Sequence, residues 1–280
     1  MELLRNFRRS TLPRQHVSHE QDKPILAISD LTVRFDSGLA LDQISFELIA
    51  GEQVAVVGPN GAGKSTLFKV IAGVLKPTSG EVNVYGYGPG GHICIAYVPQ
   101  RFQVDWSFPV NVADVVMMGR IGKLGLLHYP THSDWNLVNK SLAAVGLVDL
   151  ANRQISELSG GQQQRMFIAR ALTQEAELML MDEPITGLDI SSQEAIFEIL
   201  SYLHDQGVTV MLATHDLELA ADRFDRVMLL NKRLLGFGLP HEVITPDHLI
   251  SAYGGHLHMV EKEDRLLVVA DTCCDEGEEW

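Results

Sequence analysis

Residues 58–66 read GPNGAGKST, where Gly58, Gly61 and Gly63 leave backbone amides unobstructed by Cβ atoms and Lys64 adds a point charge. Such a loop can wrap a β-phosphate with inward-turned amides while the ammonium meets the β and γ oxygens and the Ser65 hydroxyl ligates Mg2+. Gly58, Gly63, Lys64 and Ser65 fill every fixed position of G-x-x-x-x-G-K-[ST], with Pro59, Asn60, Gly61 and Ala62 between them and Thr66 following. An ordinary strand-to-helix turn would share the glycines, but the lysine and the hydroxyl favour a nucleotide.

Two further runs carry acids and a histidine. LMLMDEP, Leu178 to Pro184, ends an apolar stretch with Asp182, placed to hold Mg2+ through water, and Glu183, placed to take a proton from an attacking water. In isolation an Asp-Glu pair is commonly a polar turn; beside a phosphate loop it gains a catalytic reading. LATHD places His215 after another apolar run, within reach of a γ-phosphate, although a lone histidine is more often structural. LSGGQQQR, Leu158 to Arg165, raises a separate question. Ser159 and the amides of Gly160 and Gly161, with Gln162 behind them, look like a second anion cradle at a helix start, yet without a lysine. A glycine-rich helix cap would explain the same residues taken alone.

These groups need strands and helices to aim them. QVAVVG, Gln53 to Gly58, is apolar without alternation, as suits a parallel strand buried on both faces. Strands are also expected over Ile25 to Phe35, with Ile44 to Leu48 as neighbour, and over Ile93 to Val98, Leu178 to Met181 and Val208 to Ala213. Asp182, Glu183 and His215 then fall at the carboxyl edge of a parallel sheet, where open α/β sheets bind ligands. From Val110 to Ile155 the pattern is helical, and there is no internal repeat. Residues 1–22 and the acidic end from about Glu261 read as appendages, CCDEGEEW as a solvated tail.

Composition bounds the function. With 280 residues, 46% hydrophobic and 21% charged, the chain can bury one substantial core with a subdomain attached. A net charge of −14 argues against nucleic acid as a partner, since phosphates call for clustered Lys and Arg. Cys94, Cys273 and Cys274 offer no disulfide framework, which suits a reducing compartment. No apolar run approaches the ~20 residues that cross a bilayer, and the arginine-bearing start lacks an apolar signal core, so a soluble chain is expected.

In order, GPNGAGKST, YVPQ, LSGGQQQR, LMLMDEP, GLD and LATHD resemble the ATP-binding subunit of an ABC transporter, over roughly residues 25 to 240. The resemblance implies an α/β fold: a P-loop NTPase (RecA-like) core with a mostly parallel sheet, an antiparallel β subdomain and a helical subdomain carrying the signature. It divides the chain into an extension at 1–24, an ATPase domain at 25–245 with helices at about 101–173, and a C-terminal extension at 246–280. It implies ATP and Mg2+ as ligands, Gln100 contacting Mg2+ and the attacking water, Asp189 in a loop that communicates across a dimer, and Phe35 stacked on adenine. Phe35 stands where tyrosine is frequent, and keeps the ring face. It also answers the question of the second cradle. Two copies pack head to tail, and Ser159, Gly160, Gly161 and Gln162 of each cover the γ-phosphate held by the other copy's Lys64 loop.

The run after Gln100 points to the transported substrate. Phe102, Trp106 and Phe108 sit in a loop where exposed aromatics would make a partner patch, or else cap the helical region's own core. VDWSFP with VADVVMMGR resembles bacterial importers of manganese, zinc or iron, manganese-type members most of all. The expected partners are a second copy, an integral membrane permease and, indirectly, an extracytoplasmic metal-binding protein; the expected place is the cytoplasmic face of the inner membrane. Siderophore and cobalamin importers share this layout. Soluble repair or translation ATPases usually carry two nucleotide domains or a long coiled coil, and a regulatory subunit would be expected to lose Glu183 or His215. His256, His258, Cys273 and Cys274 could bind a transition metal, though their scattered spacing suits a solvated tail better.

Overall fold

The computed structural model describes residues 24–88, 94–100, 105–124 and 129–254, and the backbone of two strands between 257 and 270. In chain order these are β1 (Leu26–Phe35), β2 (Gly38–Leu48), β3 (Gln53–Val57), α1 (Lys64–Ile71), β4 (Ser79–Val84) and β5 (Ile95–Val98). Helices α2 (Val112–Met117), α3 (Ile121–Leu124), α4 (His132–Ala144) and α5 (Gly160–Thr173) follow. Then come β6 (Leu178–Asp182), α6 (Ile190–Asp205), β7 (Thr209–Thr214), α7 (Leu217–Arg223), β8 (Arg226–Asn231), β9 (Arg233–Gly238), α8 (Pro240–Val243), α9 (Pro246–Tyr253), β10 (Leu257–Lys262) and β11 (Arg265–Ala270).

The main sheet has the order β5-β6-β7-β3-β8-β9, parallel from β5 to β8 and antiparallel at the β9 edge. Every residue of β3, β6 and β7 is buried, as unbroken apolar runs require of central parallel strands. Their side chains alternate between two cores. Val54, Val56, Leu178, Leu180, Met211 and Ala213 pack towards α1 and a three-stranded antiparallel sheet, β2-β1-β4. Ala55, Val57, Met179, Met181, Val210 and Leu212 pack into the other core, which α2, α4, α5 and α6 share. The α/β architecture with mostly parallel sheet, antiparallel subdomain and helical subdomain is the one expected.

Local signals set the helix starts. Asn111 accepts the Asp114 amide at 2.8 Å to begin α2, and Thr131 with Asp134 forms a capping box at α4. Several details differ from the expected strands. The first strand's partner is longer, starting at Gly38 instead of Ile44, and β4, β8 and β9 were not foreseen. The end expected to be an appendage carries β11, paired antiparallel with β10. Of the tail residues considered for metal, His256, Cys273 and Cys274 lie outside the described residues, as do residues 1–23, and His258 is described by backbone alone.

Candidate functional site

Where β3 ends, the chain must turn in very little space. A Cβ on Gly58 would run into the Leu230 carbonyl of β8. Gly63 caps α1 at φ 101°, and a Cβ there would lie 2.6 Å from Leu41 Cδ2 and 2.7 Å from the Ala40 carbonyl oxygen. The loop is thus held between β8 and β2, and only glycine fits at either end. Lys64 opens α1 with its ammonium folded back into the loop. Its Nζ donates to the carbonyls of Gly58 at 2.6 Å and Pro59 at 3.2 Å, and lies 3.9 Å from Glu183 Oε1. Burial lowers its pKa, against the opposing pull of Glu183 and Asp182.

The acids arrive from β6. Asp182, fully buried, accepts from Ser65 Oγ at 2.9 Å on one oxygen and from the Tyr97 hydroxyl at 3.2 Å on the other. Glu183 follows at φ 49°, a left-handed conformation uncommon for a side-chain-bearing residue, and its amide still donates to Ala213 of β7 at 3.1 Å. That twist parts the two carboxylates at the end of one strand. Glu183 then accepts from Gln100 Nε2 at 3.1 Å, the residue two positions beyond β5. His215 stands exposed just past β7, and the exposed Phe35 ends β1. Two carboxylates facing one ammonium leave a net negative charge in a partly buried cleft. Ser65, Asp182 and Gln100 supply oxygens of the hard type that suits Mg2+, so the residues present fit that ion.

The signature residues form a second group. Ser159 caps α5, taking the Gln162 amide at 3.4 Å, while its own amide donates to Gln162 Oε1 at 2.9 Å. Asp189 caps α6 in the same way, accepting from the Ser192 amide at 2.9 Å and the Ser192 hydroxyl at 2.7 Å. Those hydrogen bonds, the hydroxyl's first, hold its carboxyl down at about 2.

A phosphate loop, an acid pair, a glutamine on the second acid and a capped glycine turn thus stand in one chain, and residues 41–186 match the ABC transporter domain. The chain belongs to the ABC transporter family. It is 44% identical over 241 residues to the manganese transport system ATP-binding protein MntB of Bacillus subtilis, covering 86% of this chain and 96% of that one. It is 43% identical over 231 residues to the zinc transport system ATP-binding protein TroB of Treponema pallidum, covering 82% of this chain and 87% of that one. Among solved structures, the dimeric post-hydrolysis state of an ATP-binding cassette bound to ADP and Pi superposes with a TM-score of 0.68 at 27% identity, over 77% of this chain and 98% of that one. The chain is the ATP-hydrolysing subunit of a transporter. Among its described residues no helix is long and apolar enough to cross a membrane.

One feature of this ABC ATPase was not expected, and for another the structure chooses between two expectations. Tyr97 was part of the quoted YVPQ run without a role, and the structure puts its hydroxyl on Asp182; a lone hydroxyl in the apolar β5 was the only signal. Trp106 does not join an exposed patch. Its half-buried ring packs edge-to-face on Phe167 of α5, with centroids 5.6 Å apart, so it caps the helical core, while Phe108 is 58% exposed. Phe102 lies outside the described residues. No cluster of three or more His, Cys, Asp or Glu that could hold a metal ion occurs among the described residues.

Proposed function

We propose that this subunit powers the import of a divalent metal ion, manganese foremost, through a separate membrane permease. The reading rests on the Lys64–Glu183–Gln100 arrangement for hydrolysis and on the name of the B. subtilis relative for the cargo. ATP lies with its phosphates along Gly58–Thr66 and its adenine on Phe35; Pro59, Asn60, Gly61 and Ala62 contribute loop amides or contacts. Glu183 takes the proton of the attacking water, which Gln100 orients, and His215 meets the γ-phosphate. Ser65, Gln100 and Asp182 hold Mg2+, which screens the phosphate oxygens when bound. Ser159, the amides of Gly160 and Gly161, Gln162 and Asp189 complete the site on the partner copy, so two copies close on two ATP molecules. Residues 25–245 form this catalytic unit.

Phe108 is exposed beyond the Gln100 segment, where a permease's cytoplasmic face would dock and transmit nucleotide state. The chain therefore works as a peripheral subunit at the cytoplasmic side, fed by an extracytoplasmic metal-binding protein. A zinc importer is the second reading, favoured by the T. pallidum relative. The test is ATP-dependent accumulation of Mn2+, Zn2+ and Fe2+ in vesicles carrying the ATPase with its co-purified permease. Manganese uptake that disappears with Glu183→Gln supports the proposal; zinc uptake without manganese uptake selects the second reading.

A further inference from the structure

The Asp189–Ser192 clamp lies directly against the signature turn. Gly161, buried in the first turn of α5, has no room for a side chain: a Cβ there would overlap Ser192 Oγ and lie 2.7 Å from Ser192 Cβ. The next Ser192 atom, its Cα, would be 3.7 Å away, an ordinary contact. The obstruction is therefore the Ser192 side chain alone. That side chain cannot easily swing away, because its hydroxyl donates to Asp189 Oδ2 at 2.7 Å while the Ser192 amide donates to Oδ1 at 2.9 Å. The lowered Asp189 pKa has these same two bonds as its leading causes.

We propose that Ser192 is a positioning residue which, clamped by Asp189, fills the space glycine leaves at position 161 and locks the signature turn to the Asp189 loop within one chain. Glycine at 161 is then required first by a neighbour in its own chain. Gly160 and Ser159, one and two residues before the contact, cannot shift without displacing Ser192, and Ser192 cannot shift without breaking its bonds to Asp189. Both groups that the proposed dimer offers to the other copy's nucleotide consequently move as one body. The catalytic consequence rests on the ATPase reading above; the packing contact does not.

The experiment is a double-mutant cycle with Gly161→Ala and Ser192→Gly, read by thermal unfolding and by steady-state ATP hydrolysis. In a helix's first turn glycine to alanine is ordinarily stabilising, so a loss isolates the clash. Gly161→Ala should lower Tm by about 3–8 °C, as overpacking does in a chain of this size. It should also lower kcat by about 10- to 100-fold through misplacement of the turn, with nucleotide affinity at the chain's own Lys64 loop within about twofold. Adding Ser192→Gly removes the obstructing atoms and should return most of both losses, whereas adding Ser192→Ala, which keeps the Cβ, should not. Additive Tm changes in the cycle overturn the contact. Recovery of Tm without recovery of kcat, in a background where Ser192→Gly alone is active, overturns the positioning role and assigns the glycine to close approach by nucleotide. If Ser192→Gly alone is as inactive as Gly161→Ala, the positioning role stands only if Ser192→Thr, which keeps the hydroxyl, restores turnover. An unmutated protein that does not hydrolyse ATP sinks the ATPase reading and leaves the Tm cycle to decide the contact.

Discussion

The phosphate loop and the signature turn are both glycine-rich helix starts, and they are finished in opposite ways. Gly63 caps α1 in a left-handed conformation with no side-chain hydrogen bond to the helix. The first amides of α1 are therefore left to an external anion, and the loop is held from behind by β2 and β8. At α5 the Ser159 and Gln162 side chains close a capping box over the first turn, and Gly161 rests on Ser192. The first start is open and anchored by its core. The second has two of its amides, those of Ser159 and Gln162, bonded within its own chain, and is anchored by another helix cap. In the proposed dimer, a side-chain-capped start suits the group offered to the other copy's nucleotide, and an open one suits the loop that holds its own.

The sharpest way to break this contrast is Glu183→Gln, which keeps the shape and the Gln100 contact but removes the base. Hydrolysis should fall by about two to four orders of magnitude while ATP still binds. Size-exclusion chromatography with ATP should then show a stable dimer, which Ser159→Arg in the second region abolishes. Normal turnover by Glu183→Gln would refute the base, and an inactive mutant that remains monomeric would separate the two regions functionally.

Stability offers a finer comparison. Gly63→Ala forces a side chain into a left-handed conformation against Leu41 and the Ala40 carbonyl, and should cost about 2–4 kcal/mol. Ser159→Ala loses only a cap and should cost about 1 kcal/mol. Chemical denaturation midpoints measure both, and equal losses would mean that the two starts are anchored alike.

The smallest effect concerns protonation at α6. The folded Asp189 carboxyl, held below its ordinary value of 3.8, contributes stability that is present above that pH and fades as pH falls towards about 2. A side-chain carboxyl titration by NMR should place its midpoint near 2, and Ser192→Ala should move it upward. A midpoint near 3.8 in the unmutated protein would mean that Asp189 is not clamped in solution.

How legible each part was depended on the sequence range of the interactions. The phosphate loop, the acid pair and the signature turn could be located because each is a run of a few residues. Glycines next to Lys64 and Ser65 mark a strand-to-helix turn, and Ser159 with two glycines marks a helix start, which the structure closes with a capping box to Gln162. The central strands were equally plain, since burial on both faces demands unbroken apolar runs. Strand β4 was missed because its first three residues are exposed, leaving little pattern, and β9 because it is short, half-buried and carries two glycines.

By itself, then, the sequence determined the local devices: which turns are glycine-rich helix starts, and which strands lie inside. Only the tertiary structure decided what those devices lean on. The sheet order β7-β3-β8 brings Leu230 against Gly58, the pairing of β5 with β6 carries Tyr97 to Asp182, and the meeting of two helix starts puts Ser192 in the space at Gly161. These contacts join residues far apart in the chain. Hydrophobic periodicity and capping signals operate over only a few residues, so packing alone could reveal them.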